Sequence, residues 1–299
     1  MFEGLKFGTN VYRFPEFGGG HGPLVDFVRT AETLGFNHVR FLDHVVGINV
    51  AKHDGIANTP YTGQSTLREC FTLLAYLSAV TTRIEFATGV LVLPQRQTVL
   101  VAKQAAEIDI LSGGRLTLGV GLGYNQLEYQ ALGANFKERA AMFEEQVQLL
   151  RLLWTGADIS FEGRFHNLVD VNLSPRPVQR PIPLFFGIGR TANPIPPDKV
   201  LARCGRLADG WLPIFGPDDN AREAVVKVHR AAIEAGRDPA TIIMEMGVST
   251  AGKSPDEIRD AVKIRQEFGA SRINVRPEGD TPAQQIDALK RLADILGLG

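Results

Sequence analysis

The chain is poor in the features that would place it outside the ordinary enzymes. It has only two cysteines, Cys70 and Cys204, in segments that read as helices and without metal-ligand spacing. This excludes a disulfide scaffold and fits a reduced, cytosolic compartment. No apolar run is long enough to span a bilayer, and the N-terminus lacks the basic start and apolar stretch of a signal peptide. Charge of either sign is not in excess: 32 Lys and Arg face 33 Asp and Glu, a formal net charge of −1. No basic field is present to attract nucleic acid or an anionic membrane, so neither is expected as a partner. HExxH, GxSxG and paired-histidine motifs are missing, which disfavours metal-dependent and serine hydrolysis.

What is present is rhythm. At 299 residues and 44% hydrophobic, the chain can bury a substantial core. Short β-branched or aromatic runs read as eight strands: Lys6–Val11, His38–Leu42, Ile84–Thr88, Leu116–Val120, Pro183–Phe186, Gly210–Ile214, Ile242–Val248 and Arg272–Val275. An amphipathic segment follows each: Leu24–Leu34, Leu67–Val80, Thr98–Leu111, Arg139–Trp154, Asp198–Leu207, Asp218–Ala235, Pro255–Phe268 and Pro282–Leu296. Strands alternating with helices imply parallel sheet, because a parallel connection needs a crossover. Eight such units predict an α/β fold, a (β/α)8 barrel in one domain over residues 1–299. An open doubly wound sheet is the alternative.

Punctuation supports these boundaries. Thr66 with Glu69, Ser254 before Pro255 and Thr281 before Pro282 read as helix starts, and Gly113-Gly114 as a left-handed stop. Two insertions break the rhythm. Gly47–Ser65 is a long loop after the second strand, of the kind used as a lid. Ala157–Arg180, between the fourth helix and the fifth strand, carries alternating ISFEG and VDVNL runs that predict a small hairpin.

Chemistry-bearing residues gather where strands end. Gly119-Val-Gly121-Leu-Gly123 resembles a dinucleotide turn, but Tyr124 stands where the third glycine of that fingerprint belongs. Bare backbone there suits close approach to a flat ligand, or simply a tight turn. Asp43-His44 ends the second strand. A histidine there can move a proton near neutral pH, with Asp43 orienting it; a loop cap is the competing reading. Thr88-Gly89-Val90 closes the third strand as a bulge or turn. Arg96 reads as an anion binder or a rim residue. Asn125 can hydrogen-bond a heteroaromatic edge, and Glu128 either joins it or starts a short helix. Gly187-Ile-Gly189-Arg190-Thr191 offers exposed N–H groups for a phosphate. His38 and the cysteines read as structural or solvated.

Taken in order, these pieces resemble the bacterial luciferase-like superfamily of flavin- and F420-dependent oxidoreductases. The resemblance runs from about Lys6 to Trp211. It rests on Ala31-Glu32-x-Leu34-Gly35-Phe36, Asp43-His44, Thr88-Gly89-Val90-Leu91-Val92-Leu93-Pro94-x-Arg96, Asp109-x-Leu111-Ser112-Gly113-Gly114-Arg115, Leu118-Gly119-Val120-Gly121, Glu128 and Asp209-Gly210-Trp211. It implies a barrel that holds coenzyme F420 or FMN at its carboxyl end, most similar to the F420-dependent branch. It implies a non-prolyl cis peptide at Gly89-Val90 supporting the ring and His44 as proton donor or acceptor. Asp43 and Asn125 are then expected beside the cofactor, and Gly187, Gly189, Arg190 and Thr191 at its phosphate tail. The expected reaction is hydride transfer to a small organic substrate. The alternatives are an FMN-dependent monooxygenase fed by a separate reductase, and a non-catalytic flavin-binding barrel. The resemblance also implies a homodimer. TANPIPPD after Gly189 departs from the family pattern, which bears on the phosphate contacts.

Overall fold

The computed structural model describes residues 2–11, 22–53, 61–63, 65, 67–190 and 193–299. In chain order it contains β1 (Lys6–Asn10), α1 (Gly22–Thr33), β2 (His38–Phe41), α2 (Cys70–Val80), β3 (Glu85–Thr88), the short β4 (Leu91–Val92), α3 (Thr98–Ser112) and β5 (Leu116–Gly121). A short α4 (Gln126–Ala131) and α5 (Arg139–Thr155) lead to a hairpin of β6 (Ile159–Glu162) and β7 (Asn167–Val171). Then come β8 (Leu184–Ile188), α6 (Asp198–Leu207), β9 (Gly210–Pro213), α7 (Asp219–Glu234), β10 (Ile243–Val248), α8 (Pro255–Glu267), β11 (Arg272–Val275) and α9 (Pro282–Leu296).

Parallel pairing runs β3-β2-β1-β11-β10-β9-β8-β5, and β3 pairs with β5 to close the ring. That closure makes the fold a (β/α)8 barrel and excludes the open sheet. Each predicted strand is present with its ends shifted by at most two residues. The antiparallel β6–β7 hairpin confirms the alternating runs of the second insertion. Ser254 and Thr281 form full capping boxes with Glu257 and Gln284, and Gly113 ends α3 at φ 70°.

The predicted second helix is the exception. It starts at Cys70 rather than Leu67, and Glu69 is its N-cap, accepting from the Thr72 N–H at 2.7 Å. A carboxylate suits an N-cap as well as the third helical position, so the Thr66/Glu69 spacing does not decide the register. Thr66 itself lies outside the described residues.

The layer between strands and helices is apolar, whereas the interior of the barrel is charged. His38 is fully buried rather than solvated, and its Nε2 lies 3.0 Å from Glu245 Oε2. Arg40 Nη1 is 3.0 Å from Glu245 Oε1. Arg272 bridges Glu245 at 3.3 Å and Glu85 at 3.1 Å, and Lys6 closes the chain on Glu85 at 2.7 Å. Burial pushes the His38 imidazole below its ordinary value, Glu245 notwithstanding, so the ring is neutral at neutral pH. Burial alone would raise the Glu245 carboxyl, but His38, Arg40 and Arg272 outweigh it and hold it at about 2.

A depressed carboxyl stabilises the fold above its unfolded value, and that contribution is lost as pH falls toward the folded one. Glu245→Gln is therefore expected to cost roughly 3–5 kcal/mol at neutral pH, the usual penalty for breaking a buried ion pair. Urea unfolding should show the gap between wild type and variant narrowing as pH drops from 4.5 towards about 2.

Candidate active site

Inward-facing glycines make room for this interior. A side chain at Gly8 would collide with the His38 ring, at Gly89 with the Arg40 stem, and at Gly119 with the Thr88 carbonyl. The peptide between Gly89 and Val90 is cis. Val90 points into the barrel, where a Cβ on either Gly121 or Gly187 would lie 2.6 Å from one of its methyls. These two glycines thus have a packing reason for being glycine, apart from any ligand. Thr88 Oγ1 donates to the Gly119 carbonyl at 2.6 Å and ties β3 to β5.

Gly247 is different. It lies on β10 two residues beyond Glu245, and Met244, Met246 and Val248 of the alternate set are buried in the apolar core. Strand alternation therefore turns Gly247 into the barrel. It is exposed, and among the described residues a Cβ there would meet nothing within 4 Å. Nearby on β11 and β1, Asn274 accepts from Asn10 Nδ2 at 2.6 Å and donates to the Thr9 carbonyl at 3.2 Å. Asn10 Oδ1 is left without a partner among the described residues, although Asn10 is 5% exposed. A buried acceptor without a donor is costly, so a ligand N–H at this position would be favoured.

Asp43 and His44 follow β2 and diverge. The Asp43 carboxylate turns toward Arg96, whose Nη2 and Nε approach at 2.6 and 3.3 Å. It also accepts from the Val92 N–H at 3.2 Å and faces Cys70 Sγ at 3.7 Å. Each oxygen of Asp43 already has two protein neighbours. Arg96, read as an anion binder or a rim residue, is instead held by Asp43 and, at 3.5 Å, by Glu69.

His44 turns toward Glu128. Its Nδ1 is 3.1 Å from Glu128 Oε2, and the Val45 N–H donates to Oε1 at 2.7 Å. Gln95 Nε2 adds a longer contact of 3.4 Å. Burial tends to raise the Glu128 carboxyl, but the bonds from His44, Val45 and Gln95 outweigh it and hold the group below its ordinary value. Glu128 is 1% exposed and the His44 side chain 10%. Tyr61 lies against the imidazole with ring centroids 4.5 Å apart, and Tyr124 approaches edge-on at 6.2 Å. Nε2 is the ring nitrogen left for a ligand, since no hydrogen bond reaches it among the described residues.

Asn125 N-caps α4, its oxygen accepting from the Leu127 and Glu128 N–H groups. That cap places Glu128 one turn into the helix, facing His44. The amide nitrogen of Asn125 remains for other partners. Gly189 has φ +87°, and a Cβ there would strike the Pro194 carbonyl. Gly189 thus shapes a turn closed by the paired backbone of Arg190 and Asn193. Arg190 is exposed, and Thr191 lies outside the described residues.

The structure thus gathers Gly89, His44, Asn10, Asn274 and Gly247 at the carboxyl ends of five neighbouring strands, β3-β2-β1-β11-β10. Sequence reasoning missed Asn10, Arg40, Glu245 and Gly247. The available signal was period-two alternation: His38 with Arg40, and Glu245 with Gly247, occupy one face of strands whose other face is apolar. Among the described residues no group of three His, Cys, Asp or Glu is placed to hold a metal, and no helix is long and apolar enough to cross a membrane.

Comparison with known proteins bears on the family and the fold. An uncharacterized protein of Mycobacterium tuberculosis is 32% identical over 221 residues, 71% of this chain and 72% of that one. An F420-dependent glucose-6-phosphate dehydrogenase of Nakamurella multipartita is 28% identical over 286 residues, 93% of this chain and 76% of the enzyme. The crystal structure of a monooxygenase from Streptomyces bottropensis superposes with a TM-score of 0.79 at 23% identity, covering 98% of both chains, which supports the fold. A barrel whose residues 16–294 match the luciferase-like monooxygenase model belongs to the luciferase-like monooxygenase family.

Proposed function

We propose that this protein is an oxidoreductase that uses reduced coenzyme F420, or reduced FMN, to transfer hydride to a small organic substrate. The His44–Glu128 pair at the barrel mouth carries the reading. The preference for F420 follows the F420-dependent relative and the resemblance of the Asp43-His44 region.

The residues present fit such a ring. Flavins and deazaflavins are flat and carry an amide N–H on their pyrimidine edge. The open face over Gly247 accepts a flat body, and the orphaned Asn10 Oδ1 accepts an N–H. Gly89-Val90 forms a bare wall, with the Asn125 amide and Tyr124 on the side of β5. Arg190 and the turn at Gly189 serve a phosphate tail. When bound, the reduced ring supplies the hydride.

The chain's own residues handle the proton and the geometry. Glu128 holds Nδ1 of His44, so Nε2 is the nitrogen that gives or takes the proton. Asp43 acts through others: it fixes Arg96 and the Val92 N–H, and with them the backbone after Gly89. Tyr61, which lies tilted against His44, limits water at the reacting centre.

Mixing the protein anaerobically with reduced F420 and a panel of small electron-poor organic acceptors tests the reaction class. The expected result is acceptor-dependent return of the oxidised cofactor's absorbance. Consumption of reduced FMN and oxygen instead, with an oxygenated product, would make the protein a monooxygenase fed by a separate reductase. No oxidation of either ring beyond the protein-free rate would refute the proposal.

A further inference from the structure

Gln146 lies on α5 and is fully buried. Its Nε2 donates to the Leu93 carbonyl at 3.2 Å, to the Arg96 carbonyl at 3.1 Å and to Thr98 Oγ1 at 3.0 Å. The two carbonyls bracket a single turn, Leu93–Gln95, between β4 and α3. That turn and its flanks support the region of His44. The Val92 N–H and the Arg96 guanidinium bind the Asp43 carboxylate, at 3.2 Å and at 2.6 and 3.3 Å. Gln95 Nε2 reaches Glu128 at 3.4 Å. The residue before His44 and the carboxylate that holds its ring thus both rest on the Val92–Arg96 segment, and Gln146 holds that segment from α5.

The amide can sit only one way round. The Glu145 carboxylate accepts from the N–H groups of Arg164, Phe165 and His166 and lies 2.7 Å from His166 Nδ1. Nδ1 therefore carries a proton, and Nε2 accepts from the Thr98 hydroxyl at 2.6 Å. With its proton so engaged, the Thr98 oxygen accepts from Gln146. A flipped amide would set its oxygen against two carbonyls. In the orientation present, Gln146 Oε1 is buried without a partner among the described residues, which is costly. Methionine would fill a similar volume without stranding an acceptor. Packing therefore does not account for a glutamine here, whereas holding the turn does. We propose that Gln146 is a positioning residue that sets the His44–Glu128 pair through the Val92–Arg96 segment, and with it the proton step. The kinetic part of this inference rests on the oxidoreductase reading; the structural part rests on the geometry of the pair.

Two readouts test it in Gln146→Met, with Gln146→Leu as a second variant and melting temperatures to identify the folded ones. The first needs no cofactor: NMR of protein carrying isotope-labelled histidine follows the Nδ1 proton of His44, assigned by its absence in His44→Ala. Its exchange with water should be about tenfold faster in Gln146→Met, because the pair opens more often. The second is anaerobic single turnover with reduced F420 or reduced FMN. Gln146→Met should slow the reaction about tenfold through misplacement of the pair, with the ring's dissociation constant unchanged. In a His44→Ala background the same substitution should slow it less than about twofold, since a residue acting through His44 has nothing left to position. An equal loss in both backgrounds, or unchanged Nδ1 exchange in a folded variant, would overturn the proposal. So would failure of both variants to fold, which would make Gln146 a core residue. Faster Nδ1 exchange in a protein that oxidises neither ring would support the positioning role and overturn the oxidoreductase reading alone.

Discussion

Replacing His44 by alanine is expected to slow turnover about 100- to 10,000-fold, the usual contribution of a positioned acid or base. Cofactor affinity should change little, because the walls of the seat come from other strands. Stability should also change little. The His44 side chain is partly open, and Glu128 keeps the Val45 N–H and Gln95 after the substitution. The loss should thus appear in kcat rather than in melting temperature. Glu128→Gln probes the same pair from behind. Glutamine retains one acceptor oxygen but no charge, so a smaller loss of about tenfold is expected, with affinity preserved. Equal losses of melting temperature and activity in His44→Ala would mean that the imidazole only supports the loop. Stopped-flow single turnover, which separates ring binding from the reaction, is the appropriate measurement.

Gly247→Leu is expected to abolish ring binding, weakening it by at least about 100-fold, while leaving the fold intact. The reasoning is steric. Around Gly8, Gly89, Gly119, Gly121 and Gly187 the space is already filled by protein atoms, so larger residues there would disrupt the barrel. Around Gly247 no atom of the described residues lies within 4 Å of where a Cβ would sit. The same substitution thus fills a ligand's place without compressing the core, in contrast to ordinary overpacking. Gly247→Ala should be intermediate, since one methyl group removes little of the open face. Thermal unfolding together with cofactor fluorescence distinguishes lost binding from lost structure.

Much of the architecture was legible because the signals are local. Strand runs with period-two or continuous apolar character, proline-initiated helices at Pro255 and Pro282, and the Gly113 stop each act within a few residues. The hairpin in Ala157–Arg180 was legible for the same reason. The site was legible only in outline. Asp43-His44 stood out as a pair, yet the two side chains part company, one to Arg96 and the other to Glu128. Those contacts span 53 and 84 positions in the chain, and local pattern carries no information about them.

Glycines were the most ambiguous signal. At Gly121 and Gly187 the absence of a side chain indicates that something comes close, and the neighbour is Val90 of the same chain. At Gly247 the same absence leaves a Cβ position that no atom of the described residues approaches, but a glycine inside a strand looks identical in both cases. Charged residues on strands were ambiguous in the same way. Nothing local marks Arg40 and Glu245 as partners; ring closure brings β2 and β10 together across the interior.

The central claim is that the barrel mouth between Gly89 and Gly247 seats a reduced deazaflavin or flavin ring. Anaerobic equilibrium titration of wild type and Gly247→Leu with reduced F420 and reduced FMN tests it most directly. The account expects saturable binding of one ring per wild-type chain, and its loss in a Gly247→Leu protein that melts at the wild-type temperature. Absence of saturable binding to wild type, or equal binding to both proteins, would contradict it.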